Sequence, residues 1–423
     1  MTNDVKKVPE LRFPEFDGEW EEDKLGDLLK DNVILEQSDG NHGELYPKSS
    51  EFTEDGIPYL AASNISNNSI SYQNIKHLPL ERAKQFKKGV ARDGDILLAH
   101  NATVGPSVLL KTDFPFVILS TTLTLYRINK VKMDNHFFLN EIRSNNIQNQ
   151  LKKLMKQTTR NQVPILLQRT MHITYPKTLA EQHKIGSFFS KLDQQIELEE
   201  QKLTLLEKQK KGYMQQIFSQ ELRFKDDNGN NYPEWKEQKL EELGRFNSGV
   251  GFPEKYQGGD LGTPFFKVSD MNLPTNKIFM KKANNYVTDQ QIKEKKWKVI
   301  NDVPAVIFAK VGAAIMLNRK RMVIEPFLID NNTMSYSFST HWDTNFGNIF
   351  FQTLNLPKYA QVGALPSYNS KDIGTISVNL PSLNEQEKIG NFFSKIDDFI
   401  EKQSNQVELL KERKKGFLQK MFV

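Results

Sequence analysis

The chain has 423 residues, long enough for two or three domains, and 38% hydrophobic content with 28 Phe indicates folded cores. It contains no cysteine, which excludes disulfides and thiolate metal sites. The net charge of +5 mildly favours an anionic partner.

No apolar run approaches the ~20 residues that a membrane span needs, and no apolar signal core follows the N-terminus. We therefore expect a cytoplasmic protein. The seven His show no paired ligand spacing, so the sequence predicts neither a metal nor a cofactor.

The first mixed region occupies residues 1–178. Short β-branched and aromatic runs predict strands, among them Phe116–Leu119 and Leu123–Ile128. The polar-aromatic stretch Asn135–Lys156 predicts a helix. We expect an α+β domain around one small sheet.

A long amphipathic stretch follows at residues 179–220, and the chain contains it twice. Leu179-Ala-Glu-Gln-His-Lys-Ile-Gly-Ser-Phe-Phe189 returns as Leu383-Asn-Glu-Gln-Glu-Lys-Ile-Gly-Asn-Phe-Phe393, 204 positions later (383 − 179). Apolar residues recur at three- and four-residue spacing over about four heptads, which predicts a coiled-coil helix. Because the repeat is about half the chain, it indicates two similar units.

The two repeated helices are expected to form an antiparallel coiled coil about 30 residues long, roughly 45 Å. One register sets every polar heptad position against another polar position, which avoids burying an unpaired polar group. Its pairs are Glu199 with Lys414, Lys210 with Gln403, Ile196 with Phe417, Leu192 with Met421, Leu203 with Leu410 and Leu206 with Val407.

The second mixed region occupies residues 221–381, and the second repeated helix occupies residues 382–423. Strands are predicted at Val303–Ala309 and Met322–Ile324, and a helix at Asn345–Leu354. Both regions open with Leu-Arg-Phe and a later Trp, at Leu11-Arg12-Phe13 with Trp20 and at Leu222-Arg223-Phe224 with Trp235. Between such echoes the two regions diverge almost completely.

Candidate contacts to nucleic acid are Lys and Arg for phosphates and Asn, Gln and Ser for base edges. The strongest groups are a polar loop before Val163–Leu167 and a basic run after Gly312, although such loops are often plain solvated surface. The candidates are Ser63, Asn64, Arg160, Asn161, Gln162, Lys310, Asn318, Arg319, Lys320, Arg321 and Tyr368, with His100 a weaker choice.

Signatures of catalysis are absent from the sequence. There is no Gly-x-x-x-x-Gly-Lys-Ser/Thr loop for nucleotide phosphates, and no Asn-Pro-Pro-Tyr or Asp-Pro-Pro-Tyr segment for a flipped adenine. Asp289, Glu294 and Lys296 are the nearest match to a metal-dependent nuclease triplet. A stand-alone Mg-dependent nuclease and a coiled-coil scaffold without a role on DNA therefore stay open as alternatives to a DNA-recognition module.

Two divergent regions, each followed by a near-identical helix, resemble the specificity subunit of a type I restriction–modification enzyme. The strand motif Gly94-Asp95-Ile96-Leu97 also fits, whereas Val303-Pro304-Ala305 departs from it. The resemblance covers essentially the whole chain. It implies two target recognition domains held apart by two conserved helices, with pseudo-twofold symmetry and no catalytic residues.

The resemblance also implies partners. Such a subunit reads a bipartite target in double-stranded DNA and directs adenine methylation and restriction by other subunits. The expected partners are two modification (methyltransferase) subunits and the restriction (translocase/nuclease) subunits. We predict that the modification subunits dock on the repeated helix surfaces, at Phe188, Phe189, Phe392 and Phe393.

Overall fold

The computed structural model describes residues 7–66, 69–157, 161–361 and 365–423. Both predicted long helices are present, at Leu179–Phe218 and Leu383–Lys420. The chain folds as two units: unit 1 is Met1–Gln201 with Asn405–Val423, and unit 2 is Lys202–Ser404. Each unit therefore contains one globular region and a part of each long helix.

Unit 1 contains twelve strands among its described residues. They are β1 (Glu21–Lys24), β2 (Ile34–Asp39), β3 (Ile57–Leu60), β4 (Ile65–Ser66), β5 (Ser69–Ile70), β6 (Lys76–Leu78), β7 (Val90–Ala91), β8 (Ile96–Asn101), β9 (Thr103–Leu109), β10 (Val117–Leu119), β11 (Leu123–Ile128) and β12 (His172–Tyr175). The helices are α1 (Leu25–Lys30), α2 (Leu80–Ala83), α3 (Asn135–Arg143), α4 (Asn145–Met155), α5 (Ile165–Gln168) and the first part of α6 (Leu179–Phe218).

These strands form two four-stranded sheets, in the orders β2-β11-β8-β9 and β6-β3-β10-β7, with two small ribbons, β1-β12 and β4-β5. The two faces of strand β8 show why unit 1 has two sheets. Its Ile96 and Leu98 pack with the helices, whereas Leu97 and Ala99 face the core of the second sheet. The expectation of one small sheet is wrong because an unbroken apolar strand needs a covering layer on both faces.

The predicted helix Asn135–Lys156 is two helices. Ser144 adopts an extended conformation after α3, and its Oγ accepts a hydrogen bond from the Ile147 amide (3.3 Å) as the N-cap of α4. A capping serine inside a polar stretch therefore divides the helix.

Unit 2 repeats this architecture. Its strands are β13 (Lys236–Lys239), β14 (Gly244–Ser248), β15 (Thr263–Phe266), β16 (Tyr286–Val287), β17 (Ala305–Ala309), β18 (Lys320–Val323), β19 (Leu328–Ile329), β20 (Thr333–Phe338) and β21 (Ser377–Leu380). The helices are α7 (Leu240–Leu243), α8 (Asp289–Lys295), α9 (Thr344–Thr353), α10 (Ser370–Gly374) and α11 (Leu383–Lys420), the last shared with unit 1.

The four-stranded sheet β14-β20-β17-β18 and the ribbon β13-β21 match those of unit 1, whereas the second sheet, β16-β15-β19, has three strands where unit 1 has four. Strand β17 takes the place of β8: Val306 and Phe308 face one core, and Ala305 and Ile307 face the other. The alignment of Val303–Ala309 with the Gly-Asp-Ile-Leu strand therefore holds in three dimensions.

In unit 1 the ends of α6 and α11 run antiparallel, but the predicted register is wrong. The Lys414 Nζ pairs with Asp193 rather than Glu199, and the Phe417 ring packs on Phe188 at 5.0 Å between centroids rather than on Ile196. Unit 2 contains the same pairs, Lys210 with Asp397 (2.6 Å) and Tyr213 with Phe392 (5.2 Å).

The predicted register of α6 against α11 is displaced by about two helical turns, for two reasons. The acidic partners of the buried lysines lie outside the heptad positions that were matched. Aromatic contacts made by the globular region also fix the helix: Phe13 packs on Phe188 in unit 1, and Phe224 packs on Phe392 in unit 2.

Candidate nucleic-acid interface

The candidate residues of unit 1 lie in loops that backbone hydrogen bonds join at one edge of the central sheet. The Ala62 amide donates to Thr122 Oγ1 (2.9 Å), the His100 amide to the Thr122 carbonyl (3.0 Å), and the Val163 amide to the His100 carbonyl (2.8 Å). The loops that contain Ser63 and Asn161 are therefore neighbours although 98 positions separate them (161 − 63).

The candidate residues at this edge differ in their exposure and in their hydrogen bonds. Ser63 and Asn161 are exposed, and Gln162 is half-buried in a β-bridge with Asn101. The Asn64 Oδ1 accepts the Ala61 amide (2.9 Å), so this side chain holds a turn. Arg160 lies outside the described residues.

His100, the weaker candidate, belongs to the core. It is only 5% exposed, and its Nδ1 lies 2.9 Å from Thr124 Oγ1. Burial lowers the pKa of its imidazole to about 4, so the ring is neutral near pH 7. The prediction that it contacts DNA is wrong.

Unit 2 contains the same edge with different side chains. The Lys310 amide donates to the Asn332 carbonyl (2.9 Å) and the Tyr368 amide to the Lys310 carbonyl (3.2 Å), which are the bonds that His100 and Val163 make in unit 1. Lys310 is half-exposed where its counterpart His100 is buried. Equivalent backbone positions therefore present different chemistry.

The basic run Asn318–Arg321 is mainly structural. Asn318 has a φ of +48°, and its side-chain Nδ2 donates to the Leu354 carbonyl (3.0 Å) while its Oδ1 accepts the Leu356 amide (3.2 Å). Lys320 is 7% exposed and donates to the Leu354 carbonyl (2.6 Å); burial lowers its pKa to about 8.

The last two residues of the run begin β18 rather than a loop. The Arg321 Nε donates to the Asn276 carbonyl (2.6 Å), so this guanidinium is held by the backbone of unit 2. Arg319 is the exposed member of the run, and it bonds Asn272. We therefore withdraw Asn318, Lys320 and Arg321 as DNA contacts and retain Arg319.

Tyr368 is likewise a core residue, not a contact. It is 5% exposed, and its hydroxyl donates to the Ala309 carbonyl (2.5 Å). Burial raises the pKa of its phenol well above the ordinary range.

The feature that the two repeats share most closely is a set of hydrogen bonds, called the fastening below, between the start of each long helix and its own globular region. The sequence analysis did not predict it. Buried Glu181 accepts from Arg12 Nε (2.7 Å) and Nη2 (2.8 Å) and from Trp20 Nε1 (3.3 Å). The next residue, Gln182, accepts the Asp134 amide (3.0 Å) and donates to the Pro176 carbonyl (2.9 Å). The Glu-Gln pair thus binds the helix to its own globular region.

Unit 2 makes the same fastening. Glu385 accepts from Arg223 Nε (3.2 Å) and Nη2 (2.9 Å) and from Trp235 Nε1 (3.2 Å). Gln386 accepts the Asp343 amide (2.9 Å). The sequence did contain a signal for this fastening, because Leu-Arg-Phe, Trp and Glu-Gln all recur in the repeat.

The burial of the repeated Phe-Phe pair corrects the predicted docking residues. Phe189 and Phe393 are 0% exposed and belong to the cores of units 1 and 2, so their rings cannot form a docking surface. Phe188 and Phe392 are half-buried against aromatic neighbours of their own units. The repeated Phe-Phe pair serves internal packing.

Two members of the possible nuclease triplet have structural roles. Glu294 accepts the Tyr256 hydroxyl, and Lys296 ends α8 with a φ of +54°. In the part of the chain that the structure describes, no three His, Asp or Glu side chains are grouped to hold a metal ion. Among the same residues, no helix has the length and apolarity needed to cross a bilayer.

A family model described as the type I restriction modification DNA specificity domain matches residues 17–208 and matches again at residues 232–409. The chain belongs to this family. It is thus a type I specificity subunit, the non-catalytic component that recognises DNA sequence, and the two matches correspond to the two repeats.

Two curated specificity subunits are similar to this chain in sequence. The putative type I restriction enzyme MjaX specificity subunit of Methanocaldococcus jannaschii is 23% identical over 386 residues, 86% of this chain and 85% of its own. The MjaVIII specificity subunit of the same organism is 27% identical over 188 residues, 43% of each chain.

Solved structures agree on the fold. The crystal structure of the type I restriction-modification S subunit from M. genitalium superposes with a TM-score of 0.58 at 14% identity, covering 98% of this chain and 99% of that one. A chain from a study of complex assembly and conformational transition of the type I system gives 0.55 at 18% identity, covering 94% and 96%.

Proposed function

We propose that this specificity subunit reads a bipartite target in double-stranded DNA, with residues 1–178 and residues 221–381 each recognising one half. The observation that carries the proposal is the equivalence of the two loop edges. They have the same backbone hydrogen bonds and different side chains, with His100 in one and Lys310 in the other. Two readers on one repeated frame match a two-part target.

Ser63 and Asn161, with Arg160 and Gln162, are the proposed contacts of the first half, and Lys310 and Arg319 those of the second. Exposed amide and hydroxyl groups and the Lys310 ammonium suit base edges, and the arginine cations suit phosphates. Because the specificity subunit of this family is the non-catalytic component, methylation of adenine and cleavage belong to partner chains. The proposed location is the cytoplasm.

The proposed partners are two modification subunits, joined by restriction subunits for cleavage. Leu205 and Leu409 occupy the same repeat position and are 55% and 43% exposed, so both repeats present the same apolar side chain to solvent. Identical apolar positions in two repeats would bind two copies of one partner. This pair replaces the phenylalanines as the proposed docking site.

The test of recognition is to produce the chain with its modification subunit and map methylated adenines in host DNA. We expect a split motif with a constant gap. Lys310→Gln should relax one half only, and Asn161→Ala the other half only. An undivided motif, or the same half changed by both variants, would contradict two independent readers.

The test of docking is assembly measured by size-exclusion chromatography with light scattering. Leu205→Asp and Leu409→Asp should each release one modification subunit, and the double variant both. Leu198→Asp is the matched control, because Leu198 is 57% exposed on the same helix but its repeat counterpart is Lys402. Equal loss of assembly in the control would contradict the docking site.

A further inference from the structure

The loop between β17 and β18 is the largest difference between the two reading edges. In unit 1 one residue, Ala102, separates the equivalent strands β8 and β9, whereas in unit 2 residues 310–319 separate β17 from β18. Unit 2 therefore has an extended loop at the edge where DNA recognition is proposed.

This loop is held in one conformation by backbone and side-chain hydrogen bonds. The Gly312 amide donates to the Pro366 carbonyl (2.8 Å) at a φ of +83°, and the Asn318 amide donates to the Ile315 carbonyl (2.8 Å). The Asn318 side chain and Lys320 both bond the Leu354 carbonyl. Residues withdrawn above as DNA contacts thus fix the shape of the loop.

The tip of the fixed loop exposes apolar side chains to solvent. Met316 is 64% exposed and Leu317 57%, while Ile315 beneath them is 2% exposed and anchors the turn in the core. Leu365, 61% exposed, lies beside the loop near Gly312. Single exposed apolar residues are ordinary, but adjacent ones on a loop with so many fixing bonds form a shaped apolar projection.

The charge around this projection suits a polyanion. Residues 310–321 contain four Lys or Arg and no Asp or Glu. Arg319 is exposed immediately after the tip, and Lys310 is half-exposed at the base of the loop. Cations on either side of an apolar tip can hold phosphates while the tip enters a groove.

We propose that Met316 and Leu317 form a wedge that inserts between neighbouring base pairs in the half-site read by unit 2. The proposal rests on the proposed function, since it requires that unit 2 contact DNA. Apolar wedges of Met and Leu partly unstack a base step and bend the duplex, so they favour steps that unstack easily. Unit 1, with its single-residue turn, inserts nothing, and only one half-site is kinked.

The experiment uses the chain assembled with its modification subunits and duplexes that contain the mapped target, with 2-aminopurine placed at each step of the second half-site in turn. Binding of the wild type should raise the fluorescence several-fold at one step, because unstacking relieves quenching. Met316→Ser with Leu317→Ser should abolish that rise and weaken binding about tenfold. The same probe in the first half-site should stay quenched.

Ile324→Ser is the matched control, since Ile324 is 58% exposed in the same unit but follows β18 rather than preceding it. The control should bind and unstack as the wild type does. Unchanged affinity and fluorescence in the double variant would overturn the wedge while sequence-specific binding stood. Failure of the double variant to assemble with modification subunits without DNA would instead make the tip a protein contact and overturn it.

A wild-type complex that binds a duplex with a scrambled target as tightly as the mapped target would overturn the proposed function and the wedge together. Circular dichroism of the double variant should match the wild type, because both side chains are exposed. Loss of the fluorescence rise with normal folding and assembly is therefore specific to the wedge.

Discussion

Units 1 and 2 agree in the contacts that fasten each globular region to its helix and differ where they face a proposed target. The Arg–Glu–Trp fastening is the same in both, whereas the turn after the central strand is one residue in unit 1 and ten in unit 2. The repeated Arg, Glu and Trp therefore mark internal structure in this protein. The divergent loops are where recognition can vary without loss of the fold.

A second difference lies inside the units. Glu141 in α3 and Phe350 in α9 both come seven residues after the aspartate that caps their helix, and both are buried. Unit 2 fills this position with an aromatic cluster around Trp342. Unit 1 fills it with a carboxyl group whose Oε1 accepts the Thr174 amide (3.2 Å). Unit 1 thus has a titratable group at this core position, and unit 2 does not.

The largest expected effect comes from breaking the shared fastening. Glu181→Ala leaves Arg12 and Trp20 without their buried acceptor, and Glu385→Ala does the same to Arg223 and Trp235. Each variant should lose about 3–5 kcal/mol of unfolding free energy. Hydrogen exchange by mass spectrometry should locate each loss in the unit that contains the substitution.

Matched controls exist on the same surfaces. Glu15→Gln removes an exposed ion pair with Lys184, and Asp227→Asn removes one with Lys388. Each should leave the free energy of unfolding almost unchanged, because solvent screens exposed pairs. A fastening variant no worse than its control would mean that the repeated Glu has another role.

The next effect separates the two cores by pH. Burial raises the pKa of Glu141 from 4.5 to about 8. The folded state therefore keeps a proton that the unfolded chain releases, so this contribution to stability is full below about pH 4.5 and is lost as pH rises to 8. Unit 1 should lose a few kcal/mol across that window.

Glu141→Gln should flatten this decline in urea unfolding followed from pH 5 to 8, with Glu81→Gln, an exposed surface change, as the control. Phe350→Tyr in unit 2 adds no group that titrates in that range. A wild-type profile that persists in Glu141→Gln would assign the decline to another group.

Much of the fold could be predicted from the repeat, because heptad spacing and apolar runs report burial directly. Long helices and the strands Leu123–Ile128 and Ala305–Ala309 were found that way. The second sheet was missed because Leu97 and Ile96 look alike in sequence yet face different layers. Lys320 and Tyr368 were misread because a buried Lys or Tyr is identified only by the carbonyl it meets, which comes from a distant loop.

The repeated glycines also test how well sequence identifies packed positions, with a smaller expected change in the free energy of unfolding. A Cβ on Gly186 would lie 2.4 Å from Asp134 Oδ1 and 2.9 Å from the Phe137 amide nitrogen, and Gly390 meets Asp343 and Phe346 in the same way. Gly186→Ala and Gly390→Ala should each cost about 1–3 kcal/mol in urea unfolding, because the start of α3 or α9 must move.

Gly212 and Gly416 are repeated just as faithfully, but nothing lies within 4 Å of a Cβ at either position. Gly212→Ala and Gly416→Ala should therefore stabilise their helices by up to about 1 kcal/mol. Opposite signs for the two pairs would show that repetition alone does not identify a constrained glycine. Equal destabilisation would point to a partner packed against Gly212 and Gly416.

The smallest expected effect distinguishes Arg319 from Arg321 in the basic run of unit 2. Arg319 is exposed, whereas Arg321 donates to the Asn276 carbonyl. Arg319→Gln should leave stability unchanged and reduce the slope of log affinity against log salt by about 0.9, since one phosphate contact is lost. Arg321→Gln should lower the stability of unit 2 and leave the slope unchanged. The reverse result would mean that the carbonyl-bound guanidinium turns outward when DNA binds, because only a cation that reaches a phosphate can release a counterion.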